Sequence, residues 1–92
     1  MIHNAKEELM ECLAEECSEV IKAKSKIMRF GETPERIAHL KEEIVDVIAV
    51  VAMLFEEMQI SPEEEEKLYR LGEASMKKRD SYMKFKPKVR HT

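Results

Sequence analysis

Two pairs of carboxylates have the types and spacing to do chemistry. Glu16 and Glu19 lie within Leu13-Ala14-Glu15-Glu16-Cys17-Ser18-Glu19-Val20-Ile21, and Glu43 and Asp46 within Leu40-Lys41-Glu42-Glu43-Ile44-Val45-Asp46-Val47-Ile48. Residues three apart on a helix share a face, so each pair can converge on one point. At 100° per residue, Glu16 falls about 60° from Leu13 and about 40° from Val20, and Glu43 about 40° from Val47. Both pairs therefore sit at the edge of an apolar stripe. Four carboxylates crowded there repel one another unless a cation neutralises them. An all-oxygen donor set without an adjoining His or Cys selects Mg²⁺, Mn²⁺ or Ca²⁺ over zinc. A di-iron bundle would want Glu-x-x-His, and no Glu in this chain has a His three residues later. Mg²⁺ held by carboxylates with open positions works together with substrate phosphates, so the cluster points to phosphate chemistry. By contrast, Glu63-Glu64-Glu65-Glu66 reads as a solvated face, favourable at a helix N-terminus. His39, four residues before Glu43, reads as an ordinary helix-surface residue.

The elements that would carry these groups are three helices. The first is expected over residues 4–29, ending at Phe30-Gly31, where Gly supplies the C-cap. Its stripe is Leu9, Leu13, Val20 and Ile27, with Met10, Cys17, Ile21 and Met28 as a shoulder. Thr33-Pro34, an N-cap and a Pro at the first helical position, opens the second. Along it Ile37, Leu40, Ile44, Val47, Val51, Leu54 and Met58 recur at alternating three and four. Ser61-Pro62-Glu63-Glu64 is a capping box opening a third helix that runs to about residue 82. Leu68, Leu71, Ser75, Met76 and Tyr82 would face inward on it, and Gly72 weakens its middle. The expected domain spans residues 1–84, followed by a flexible basic tail over 85–92.

After Asp46 the second helix is apolar on every side through residues 47–55. Such a helix must be buried all round, and two others of this length do not cover it. The fold class expected is therefore all-α: an antiparallel helical bundle, three main helices per chain, completed by dimerisation into a homodimer or homotetramer.

Composition agrees. With 92 residues, 2 Gly, 3 Pro and 38% charged residues, this reads as one small helical domain with a thin core. The net charge of −3 hides an asymmetry, because seven Lys/Arg and one Asp fall from Met76 onward while eighteen acids face nine bases before it. An acidic body argues against nucleic-acid binding, although the basic end could hold a polyanionic ligand. Cys12 and Cys17 point to different sides of a helix and form no bridge with each other, so a reducing cytoplasm is expected. The beginning of the chain contains no apolar core of a signal peptide. The nine-residue apolar run is far short of the roughly 20 needed to span a bilayer, so no membrane association is expected.

Glu15-Glu16-Cys17-Ser18-Glu19, then twenty-three residues, then Glu43-Ile44-Val45-Asp46 resembles the E-E-x-x-E … E-x-x-D signature of the MazG-like nucleotide pyrophosphohydrolases. These belong to the all-α NTP pyrophosphatase superfamily, with dimeric dUTPases, dCTP pyrophosphatases and phosphoribosyl-ATP pyrophosphatases. The resemblance covers about residues 9–58 and includes the apolar run after the Asp. It implies hydrolysis of a nucleoside triphosphate to the monophosphate and pyrophosphate, in nucleotide-pool control or house-cleaning, with deoxynucleotides as expected substrates. Carried over by position, Glu16, Glu19, Glu43 and Asp46 would be the Mg²⁺ ligands, with Mn²⁺ as the alternative ion. Glu15 would support them or partner the attacking water, making Glu15, Glu16 and Glu19 the catalytic set. Lys22 and Lys26 could grip the phosphates or simply pair with Glu19 and Glu15. Lys77, Lys78 and Arg79, with Tyr82 one turn on, could also bind the triphosphate or serve as a cationic helix end. Phe30 could stack on a base or cap the first helix.

Two other functions compete. Phosphoribosyl-ATP pyrophosphatase shares the carboxylate logic but normally has a small-residue-rich stretch where this chain has Glu43-Ile44-Val45-Asp46. A non-catalytic helical dimerisation or metal-sensing module would explain the apolar second helix without turnover.

Overall fold

The computed structural model describes residues 1–85, and within them the chain is all-α, three helices with no strands. The helices are α1 (Ala5–Phe30), α2 (Pro34–Glu57) and α3 (Pro62–Tyr82). Two compact units result, Met1–Gln59 and Ile60–Thr92. Except for Phe85, the expected basic tail lies outside the described residues.

Each helix begins where the sequence supplies an oxygen for an unpaired backbone N–H. Asn4 Oδ1 accepts from Glu7 N at 2.9 Å, Thr33 Oγ1 from Arg36 N at 3.1 Å and Ser61 Oγ from Glu64 N at 3.2 Å. Pro follows at the start of α2 and α3, where its missing N–H costs no helical bond. α1 stops at Gly31, whose N–H donates to the Ile27 carbonyl with φ 94° and ψ 164°. That conformation is essentially restricted to glycine. Arg36 then secures the connection from the other side. Its Nη1 donates to the carbonyls of Phe30 and Gly31 at 3.1 and 3.0 Å, and its guanidinium lies 5.6 Å from the centre of the Phe30 ring.

α1 and α2 pack on each other within the first unit. The stripe Leu9, Leu13, Val20 and Ile27 is half-buried, as are Ile37, Leu40, Val47 and Val51 on α2. The α1 shoulder of Met10, Cys17, Ile21 and Met28 stays exposed. Among the described residues only Ala23 and Leu54 are buried. Ile44, Val45, Ile48 and Met53 are all exposed on α2, so the single chain leaves much of that apolar helix in water.

In the second unit no residue of α3 is buried. Leu68, Leu71, Met76 and Tyr82, expected to face inward, are exposed in the single chain. A chain this short has too little surface to enclose every apolar stripe it carries.

Candidate functional site

The helix pair brings three of the four carboxylates together. One carboxylate oxygen from each of Glu16, Glu43 and Asp46 lies within 4.8 Å of the others. Glu16 comes from the middle of α1, and Glu43 and Asp46 from one face of α2. The half-buried neighbours Leu13 and Val20 on α1, and Leu40 and Val47 on α2, set the approach of the helices. Glu16 and Glu43 are half-buried, whereas Asp46 is open to solvent. A cation could therefore be approached from the Asp46 side.

Electrostatics follow from this crowding. The proton affinity of Glu16 is raised above that of an ordinary glutamate, first by loss of hydration and then by the charges of Asp46, Glu43, Glu19 and Glu15. Anions held this close in the absence of a counter-ion oppose one another, and a divalent cation relieves them. The donor set is all carboxylate, which fits a hard, oxygen-seeking ion such as Mg²⁺ or Mn²⁺.

Glu19 is not one of the converging three. Its carboxylate accepts from Lys22 Nζ at 3.2 Å, one turn along α1, on a largely solvent-exposed pair. Such a pair contributes little stability and can be exchanged for another partner. Glu15 is exposed, and its backbone carbonyl accepts from Ser18 Oγ at 2.7 Å. Lys26 is exposed and has no ion-pair partner among the described residues. Lys78 and Arg79 lie on α3, in the second unit. Arg79 donates to Ser75 Oγ at 3.4 Å, and the Lys78 carbonyl accepts from Ser81 Oγ. Phe30, a candidate for base stacking, is exposed, with the guanidinium groups of Arg29 and Arg36 5.8 and 5.6 Å from its ring centre.

One contact was not anticipated from the sequence. His39 Nε2 lies 3.1 Å from Glu43 Oε1, so this histidine is bonded to a member of the cluster and is not an ordinary helix-surface residue. Its i,i+4 spacing to Glu43 was the available signal.

Cys12 and Cys17 are free thiols. Among the described residues no helix is long and apolar enough to cross a membrane.

No curated protein and no solved structure matches the chain. Residues 4–70, which contain both carboxylate pairs, match the family described as the MazG nucleotide pyrophosphohydrolase domain, and the chain belongs to that family.

Proposed function

We propose that this chain is a Mg²⁺-dependent nucleoside triphosphate pyrophosphohydrolase, converting a (d)NTP and water to the (d)NMP and pyrophosphate in the cytoplasm. The observation that carries the reading is the convergence of Glu16, Glu43 and Asp46 from two helices in a chain of this family. These three would hold Mg²⁺ or Mn²⁺, with Glu19 as a fourth ligand once it leaves Lys22. When bound, the metal would neutralise phosphate charge and acidify water.

The chain's own residues have separate tasks. Water attacks the α-phosphorus, the bond from that phosphorus to the bridging oxygen breaks, and pyrophosphate leaves with the bond's electron pair. Glu15, whose charge acts on Glu16 although it is not one of the converging three, is the candidate to take the proton from the attacking water. Lys22 and Lys26 follow on α1 and supply positive charge for the phosphate chain. Releasing Glu19 would free the Lys22 ammonium for this use. Lys78 and Arg79 are further phosphate-binding candidates on α3. A second copy of the chain would complete an antiparallel bundle by covering the exposed apolar faces of α1 and α2, giving a homodimer or a homotetramer.

A panel of NTPs and dNTPs, with phosphoribosyl-ATP included, tests the proposal when pyrophosphate is resolved from phosphate. Mg²⁺-dependent release of pyrophosphate and monophosphate, lost in Glu16→Gln and Glu19→Gln, is expected. Turnover of phosphoribosyl-ATP alone would make that compound the substrate. No turnover on any member by a folded, metal-loaded chain would leave a helical dimerisation or metal-sensing module.

A further inference from the structure

We infer that His39 is a positioning residue that fixes the Glu43 carboxylate for cation binding, an inference that rests on the metal site proposed above. The geometry is specific. Glu43 has a side chain only 16% exposed, and His39, one helical turn earlier, has one 44% exposed. A carboxylate only accepts, so His39 must carry its proton on Nε2 and donate it to Glu43 Oε1.

Two consequences follow from the identity of the donor. First, a glutamate has three rotatable side-chain bonds, and ordering them upon ion binding costs entropy. The bond from a stiff ring one turn away orders them in advance and leaves Oε2 for the ion. Second, the bond comes from an imidazole and not from an ammonium or guanidinium, whose permanent positive charge would offset the carboxylate that attracts the ion. Lys22 on Glu19 shows the contrasting arrangement, in which an ammonium offsets the charge that would attract a cation. Ligating carboxylates are commonly held by such outer hydrogen bonds. His39 itself is not among the residues whose ligand atoms converge.

The test is Mn²⁺ binding by the full chain, read from the electron paramagnetic resonance of free and bound ion, so no turnover is needed. His39→Ala should weaken Mn²⁺ binding about tenfold, with helix content unchanged. His39→Gln, whose amide can donate to the same oxygen, should stay within about threefold of the wild type. Wild-type binding with no loss in His39→Ala would overturn the inference while leaving the metal site intact. Equal loss in both variants, with nitrogen coupling to the bound Mn²⁺, would make His39 a ligand and overturn it as well. Absence of Mn²⁺ binding by the wild type would remove the metal site and this inference together.

Discussion

Among the carboxylates that the helix pair assembles, Glu16 holds its proton more tightly than an ordinary glutamate, because partial burial and four neighbouring acids all disfavour its charge. An acid with a folded-state pKa raised in this way contributes most stability when protonated. The contribution declines as pH rises from the ordinary value near 4.5 through the raised one. Removing the charge should therefore help the metal-free fold. Glu16→Gln is expected to melt above the wild type at neutral pH without metal, and the gap should close as the pH falls toward 4. Adding Mg²⁺ or Mn²⁺ should raise the wild-type melting temperature and leave the variant nearly unmoved, because a ligand that binds only the native state stabilises it. A metal-free variant that melts below the wild type would show that crowding at Glu16 does not strain the fold. At this scale the sequence was informative about faces and less so about contacts. Helical spacing placed Glu16, Glu43 and Asp46 at stripe edges, and packing of the stripes brought their oxygens within 4.8 Å. The turn of Glu19 toward Lys22 depends on which rotamer a long exposed side chain adopts, and spacing does not fix that.

At the scale of elements, the ends of the helices were written most plainly. Gly31, Thr33-Pro34 and Ser61-Pro62 are local signals: they work through the backbone groups of their own turn, whatever packs nearby. Arg36 was not legible in the same way. Its two bonds to the Phe30 and Gly31 carbonyls exist only because the connection folds back over the first turn of α2. The apolar face of α3 is exposed in the single chain, since an apolar stripe says that a partner is needed and not that the same chain provides it. The connection between α1 and α2 matters for the site because it fixes the register of Glu16 against Glu43 and Asp46. Gly31→Ala tests it cleanly. A Cβ at Gly31 would meet nothing within 4 Å, so the penalty is conformational and not steric. Backbone strain of this kind costs about 1–3 kcal/mol, readable as a lower denaturation midpoint. Mn²⁺ affinity should fall with it if the strain is relieved by shifting the helices. An unchanged midpoint would mean that the connection tolerates another conformation without loss.

For the molecule as a whole, the difficulty is the small amount of apolar surface that one chain hides. Ala23 and Leu54 are the only buried residues among those described, while Val45 and Ile48, on the helix that carries Glu43 and Asp46, are 60% and 61% exposed. Isolated exposed apolar residues need no explanation, but a contiguous helical face of them marks an interaction surface. A second copy is the simplest cover, since a two-fold axis would pair like faces and bury each apolar residue twice. Burying an isoleucine side chain stabilises by about 1.5–3 kcal/mol. Replacing Ile48 by Glu loses this once per copy, so Ile48→Glu should weaken a two-fold dimer by on the order of a hundredfold or more. Within the single chain the side chain already faces water, so the packed pair of α1 and α2 should tolerate the change. Sedimentation equilibrium is expected to show the wild type associated and Ile48→Glu shifted toward monomer at the same concentration. The wild-type melting temperature should rise with protein concentration, as it must when folding and association are linked. A wild type that sediments as a monomer, with a melting temperature independent of concentration, would remove the second copy from the proposal.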